Sequence, residues 1–396
     1  MRLALPGIAN SKMSMSIAPF SVARADNDRL FDDRGRSFLD LFSGHGTTWL
    51  GHANPHIAAA LAKQLQNVWI TGGLPTAVHD EAKQSVEAWF PPSHFLAGFC
   101  STGMEAAEFS LRVARAVTGR NGAVGFEQSM HGKSLATAYL GWGNYGGPSL
   151  PDFVRLPFVQ SCSEELILRR LADVLTRRAI SAVFIEPLQA SGGGHAASKY
   201  FYPELARLCS DQGTLLIFDE LLTGFHRTGP PFFVSDFRFV PDIILVGKSL
   251  GNGFPVSGVL VNRRYSITPP MLAGSTFSGN ALAAAAVTAT LRQMRSCNLP
   301  ERVRSIEAII VEHLAPLRER GIALRGRGAL WILELPNTID VERVVLTLCE
   351  RGVVAGFTGR FIRILPAATI DLGELARACS IIAEELEKKT DVQRSR

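Results

Sequence analysis

Between about residue 55 and residue 290, short apolar runs alternate with stretches of helical spacing. The runs are Gly98-Phe99-Cys100, Ala123-Val124-Gly125-Phe126, Ala182-Val183-Phe184-Ile185, Leu215-Leu216-Ile217-Phe218 and Ile243-Ile244-Leu245-Val246. None alternates apolar with polar, so each reads as a strand covered on both faces. Such strands separated by helices predict an α/β fold with a mostly parallel central sheet flanked by helices. After residue 298 the texture changes. Leu330–Leu335 and Phe361–Leu365 read as strands, and a last helix carries Leu372, Leu375, Cys379, Ile382 and Leu386 as its apolar stripe. Asp371 and Glu374 have the spacing of a capping box for that helix. Before residue 45 the chain reads as an extended arm and short strands, with Asp32–Arg36 as a tight turn between two of them. The expected division is an arm and part of a smaller α+β domain over 1–50, a large α/β domain over 51–292, and the rest of the small domain over 293–396.

Composition narrows the class. The chain has 396 residues, 46% hydrophobic and 19% charged. That excludes a disordered chain, a coiled coil and a collagen-like fibre. The 41 Lys and Arg against 36 Asp and Glu leave only +5. The arginine pairs Arg169–Arg170, Arg177–Arg178 and Arg263–Arg264 are set between apolar helix positions, the pattern of a solvated surface and not of a nucleic-acid stripe. Cys100, Cys162, Cys209, Cys297, Cys349 and Cys379 stand far apart, without disulfide or metal-ligand spacing. A reducing cytoplasm and no metal are the expectation. Leu3-Ala4-Leu5 begins like a leader, but Pro6 and Gly7 interrupt it, and no run reaches membrane length.

In open α/β sheets, ligands bind beyond the carboxyl ends of the strands. Here those ends read Glu186-Pro187-Leu188-Gln189, Asp219-Glu220 and Gly247-Lys248. Alone, each has an ordinary reading as a helix cap or a solvated side chain. Together they put a carboxylate, an amide and a lysine on one rim. Ser101-Thr102-Gly103-Met104-Glu105 opens a helix with Glu105, Glu108, Arg112 and Arg115 on one side, Ala106, Phe109, Val113 and Ala116 on the other, and Gly119 at its end. Thr102 with Glu105 is either a capping box and nothing more, or the start of a phosphate cradle on the same free N–H groups. Spacing leaves both open.

Three longer segments decide the matter: Phe218-Asp219-Glu220-Leu221-Leu222-Thr223-Gly224-Phe225-His226-Arg227-Thr228-Gly229, Lys248-Ser249-Leu250-Gly251-Asn252-Gly253-Phe254-Pro255, and Gly274-Ser275-Thr276-Phe277-Ser278-Gly279-Asn280. With Gly51-His52-Ala53-Asn54-Pro55, they make the stretch from Phe38 to Pro366 resemble the class III pyridoxal-phosphate aminotransferases of the type I fold, the ornithine, GABA and glutamate-1-semialdehyde group. The resemblance implies pyridoxal 5'-phosphate as cofactor, Lys248 as its Schiff-base lysine, and Asp219 against the pyridinium nitrogen. It further implies Gln189 on the phenolic oxygen and Thr102, Gly103 and Met104 at the phosphate. Ser275 and Thr276 match a segment that reaches the neighbouring subunit's phosphate, implying a homodimer with the site at its interface. Arg363, between Ile362 and Ile364, matches the arginine that holds the substrate carboxylate, a task suited to its planar fork.

Several positions depart from the family pattern. Met130 precedes His131-Gly132 where relatives place an aromatic ring over the cofactor, and a thioether stacks less rigidly. His131 reads either as a contributor to the site or as a buried structural histidine. Ala190-Ser191 stands where many relatives carry Gly-Glu, so the carboxylate expected to neutralise Arg363 is missing. His45 and Trp49 fall where relatives line the substrate, and Ile70-Thr71-Gly72-Gly73 either does likewise or simply turns. The implied reaction is transfer of an amino group from an amino-acid donor to an aldehyde or keto acceptor. The alternatives are isomerisation, as in an aminomutase resembling glutamate-1-semialdehyde aminomutase or an amino-acid epimerase, decarboxylation, and a non-catalytic binding role. Gln189 favours transfer over the aminomutases, and Lys248, Asp219 and Gln189 together disfavour a binding protein.

Overall fold

Seven strands form the central sheet in the order His94–Cys100, Ser257–Asn262, Ile243–Val246, Leu215–Asp219, Ile180–Ile185, Gly122–Phe126, Phe153–Leu156. This computed structural model describes residues 19–142, 150–268, 271 and 274–394. The leader-like start at Leu3-Ala4-Leu5 lies outside the described residues. Ser257–Asn262 pairs antiparallel with both of its neighbours, and every other pairing in the sheet is parallel. Every residue of Gly122–Phe126, Ile180–Ile185, Leu215–Asp219 and Ile243–Val246 is buried, which is why their sequences do not alternate.

The helices follow their caps. In Gly103–Thr118 the Thr102 side chain accepts from Glu105 N–H, the Glu105 carboxylate reaches back, and Gly119 ends the helix with φ +67°. Its buried face comprises Ala106, Phe109 and Val113 with Ala107, Leu111 and Ala114, while Ala116 is exposed. Glu164–Arg177 is capped by Ser163 and buries Ile167, Leu171 and Leu175 at four-residue intervals.

The two ends of the chain share a sheet. Val22–Asp26, Arg29–Asp32 and Ser37–Asp40 form an antiparallel ladder, with the turn at Asp32–Arg36 closed by Gly35, and Val353–Val354 adds to it in parallel. Ala323–Arg327, Leu330–Glu334, Phe361–Ile364 and Gly356–Thr358 make a second antiparallel sheet. In the last helix, Leu372–Arg394, only half of the expected capping box forms. Asp371 accepts from Glu374 N–H at 2.9 Å, but the Glu374 carboxylate turns instead to Arg29 and Arg377. Gly72 and Gly73, at φ +63° and +95° with open space around them, make a turn.

Candidate active site

Four adjacent parallel strands deliver the cluster. Leu215–Asp219 ends on Asp219, Ile180–Ile185 is followed at once by Glu186, and Lys248 lies two residues beyond Ile243–Val246. Gly122–Phe126 runs into the loop that carries Ser129, Met130 and His131. Lys248 sits in the left-handed region, φ +45°, at the start of a short 3-10 turn. A side chain of this size held there is strained, a cost that tends to collect where a group must be aimed. A Cβ on the preceding Gly247 would meet Leu221 Cδ2 at 2.6 Å, so a larger residue here would push the Leu221 side chain aside.

The Asp219 carboxylate is buried and doubly held. Oδ2 accepts from His131 Nδ1 at 2.7 Å and Oδ1 from Leu221 N–H at 3.1 Å. His131 is therefore buried in direct contact with Asp219. Its Nε2 is buried without a hydrogen-bond partner among the described residues. Burial lowers the proton affinity of Lys248, with Asp219 and Glu186 opposing the shift and Arg363 and Arg227 adding to it. Glu186 moves the other way. Burial and then the Asp219 charge raise it to about 7, against His131, the Met130 N–H bond of 3.0 Å and Lys248. Glu186 was visible in the sequence as a strand-end carboxylate, but its hold on the Met130 backbone was not.

Arg363 is buried, and burial lowers it to about 10, with Glu186 opposing. Its Nη2 lies 3.2 Å from His45 Nδ1. Both side chains meet Phe42: the His45 ring is edge-on with centroids 4.3 Å apart, and the Arg363 guanidinium is 5.4 Å from the ring centre. Arg363 thus has a side-chain contact from a histidine distant in the chain, in a position where the sequence offers no neighbouring carboxylate.

Two further predicted site residues are tied to the surrounding protein. Gln189 is fully buried, with Nε2 donating to Glu127 O at 3.0 Å and Ser129 Oγ at 2.8 Å while Oε1 accepts from Gln160 at 3.2 Å. Both amide hydrogens are thus engaged inside the protein. Gln189 clamps the loop that carries Met130 and His131. Trp49 is likewise enclosed: its Nε1 donates to Phe225 O at 2.9 Å and the Arg227 guanidinium covers its face at 3.9 Å.

At the helix start, capping uses the N–H groups of Ser101, Thr102 and Glu105. No described hydrogen bond uses those of Gly103 and Met104. A Cβ on Gly103 would meet Leu221 Cδ1 at 2.8 Å, so glycine lets the helix start sit against the strand-end loop. Ser275 and Thr276 are exposed. Gly274, Ser275 and Ser278 line a cavity of about 370 Å3 with Met104, Glu108 and Ser134.

The Aminotransferase class-III family profile matches residues 10–386. The acetylornithine aminotransferase of Listeria innocua is 32% identical, covering 94% of this chain and 96% of its own. The succinylornithine transaminase of Salmonella paratyphi B is also 32% identical, with 91% and 90% covered. Among solved structures, the ornithine aminotransferase of Toxoplasma gondii superposes with a TM-score of 0.85 at 26% identity, over 96% of this chain and 92% of that one. The chain belongs to the class III aminotransferases and has the type I fold of pyridoxal-phosphate enzymes. It is a pyridoxal-phosphate-dependent transaminase, and the isomerase alternative gains no support from these relatives.

Proposed function

We propose that Lys248 is the attachment point of pyridoxal phosphate, that Asp219 faces the ring nitrogen, and that Arg363 binds the carboxylate of an amino-acid donor. The observation that carries this reading is the enclosure of one amine and one histidine-held carboxylate at neighbouring strand ends, within electrostatic reach of a buried arginine from the second sheet. The residues suit the cofactor. A buried amine stands beside a buried carboxylate, and the helix start at Gly103 offers unused N–H groups to a phosphate. When bound, pyridoxal phosphate supplies a carbonyl for the donor amine and a ring that accepts electrons from the substrate Cα.

The chain's own groups do the rest. Burial weakens the hold of Lys248 Nζ on its proton, which favours the free amine needed to attack a carbonyl and then to carry the Cα proton. Asp219, steadied by His131, keeps a proton on the ring nitrogen. Met130, its backbone fixed by Glu186, would cover the ring face of a bound cofactor. Thr102, Gly103 and Met104 hold the phosphate. Arg363 meets the donor carboxylate with a planar fork.

A homodimer completes the site, with Ser275 and Thr276 reaching the partner's phosphate. Exposed Trp69, Leu74, Leu135 and Phe277, at 56, 71, 69 and 67% exposure, support a second copy as their cover. Trp69 O accepts from Ala281 N–H at 3.0 Å, tying this surface to the helix that follows the Gly274–Asn280 segment. Six free cysteines favour a reducing cytoplasm. The pairing of Leu39–Asp40 with Val353–Val354 supports assigning the segments 1–50 and 293–396 to one small domain beside a large domain over 51–292.

The names of the relatives make N-acetylornithine and succinylornithine the first donors to test. The absorbance spectrum of the cofactor-loaded protein should lose its protein-bound band on addition of a true donor. Lys248→Ala should lack that band from the outset. A band unchanged in Lys248→Ala would overturn the assignment.

A further inference from the structure

His45 occupies an expensive conformation. Ser43, Gly44, His45 and Gly46 all have positive φ, at +48°, +54°, +63° and +79°. For a non-glycine residue this costs roughly 1–2 kcal/mol and persists only where the surroundings enforce it. Arg227 enforces it from one side, since its Nη2 donates to Gly46 O at 2.9 Å. The turn directs the imidazole to Arg363, 318 positions away in the chain, with Nδ1 at 3.2 Å from Nη2.

The polarity of that contact follows from chemistry. A guanidinium can only donate. His45 Nδ1 must therefore be the acceptor, so the ring is neutral and its one hydrogen is on Nε2. The surroundings agree: burial first, then the charges of Arg363, Lys248 and Lys133, depress its pKa to about 4. The ring is neutral throughout the neutral range and adds no charge to the guanidinium it holds.

We propose that His45 is a specificity-determining positioning residue that fixes the Arg363 fork for a substrate carboxylate by accepting a hydrogen bond from it. A carboxylate in this place would offset the arginine's charge, whereas a neutral acceptor orients the fork without that offset. Selectivity for carboxylate-bearing substrates then depends on two side chains. This inference rests on the reading that Arg363 takes the carboxylate.

Two substitutions keep the left-handed backbone and differ in the acceptor. Asparagine tolerates positive φ and carries an oxygen near the Nδ1 position, and glycine tolerates it with no acceptor. The probe is succinate, titrated calorimetrically into the pyridoxal-phosphate-loaded protein. His45→Gly should weaken binding about tenfold, the low end for a hydrogen bond from a charged donor. His45→Asn should stay within about threefold of the native chain, on the same scale. With 15N-labelled histidine, the native His45 should give the Nε2–H tautomer at pH 7, with its signal assigned by loss in His45→Asn. Equal affinity in all three proteins, equal weakening in both variants, or an Nδ1–H signal each overturns the proposal. Arg363→Gln separates the two levels. If it abolishes succinate binding while His45→Gly does not weaken it, this inference alone fails. If Arg363→Gln leaves binding unchanged, or the native chain does not bind succinate, the carboxylate reading fails as well.

Discussion

Two buried arginines, Arg227 and Arg363, stand within electrostatic reach of Lys248, and their donors are spent differently. Arg227 bonds to Pro366 O at 2.7 Å, Gly46 O at 2.9 Å and Ala329 O at 3.4 Å, and lies flat on Trp49. Burial alone depresses it, to about 9. It ties backbone near the start of the chain to two segments of its last quarter. Arg363 bonds to a neutral side chain, and a nearby carboxylate, Glu186, counteracts its burial. A buried arginine is thus no sign of a binding site by itself. Arginine spent on main-chain carbonyls is a structural tie, whereas arginine steadied by a side chain beside a charged cluster keeps the arrangement that the proposed carboxylate role needs.

Removing each arginine should separate these jobs. Arg227→Met strips a charged donor from three carbonyls, each worth about 1–3 kcal/mol, and relieves the burial of an unpaired cation. The net expectation is a loss of about 3 kcal/mol in denaturant unfolding, with the preference for carboxylate donors intact in whatever folds. Unchanged stability with a selective loss of carboxylate affinity would merge the two roles. Arg363→Gln should do the opposite. KM for an α-amino acid should rise about 100-fold, the upper range for charge-assisted hydrogen bonds, with little change in unfolding. A carboxylate-free amine such as benzylamine should be nearly unaffected, and equal losses for both donors would remove Arg363 from substrate binding.

The elements on which this contrast rests were unevenly legible. Unalternated runs such as Ile180–Ile185 announced the sheet because burial on both faces leaves no polar positions. Strand-end residues announced the site because the fold puts strand ends at its rim. The box at Thr102 and Glu105 was legible because both partners are local. What stayed hidden in the sequence depended on distant partners. Gln189 looks the same in sequence whether it points into a crevice or back to Glu127 and Ser129, and Trp49 cannot reveal Phe225 and Arg227 as its neighbours. Glu374 was lost to a competitor, Arg29, that no helix rule contains. The His45–Arg363 contact required two segments that only the fold brings together.

The smallest effect tests the carboxylate that sets the two arginines apart. Glu186 is raised from 4.5 to about 7 in the folded protein. The folded chain therefore holds that proton more tightly than the unfolded chain. Stability from protonated Glu186 is full below about pH 4.5 and is lost as pH rises through about 7. Glu220, also raised to about 7, acts in the same sense. His45 and His195, both depressed to about 4, act in the opposite sense from about pH 4 to 6.5, so the raw pH profile mixes the two. Glu186→Gln isolates the one group. Unfolding of the cofactor-free variant and the native chain at pH 5, 6 and 7 should show the difference moving in the variant's favour by on the order of 1–2 kcal/mol across that range. The same substitution in Arg227→Met should move it equally, because the two sites are coupled weakly, whereas in Arg363→Gln the shift should be larger, since the cation that favours ionised Glu186 is gone. Equal shifts in both backgrounds would mean that Glu186 does not distinguish the two arginines.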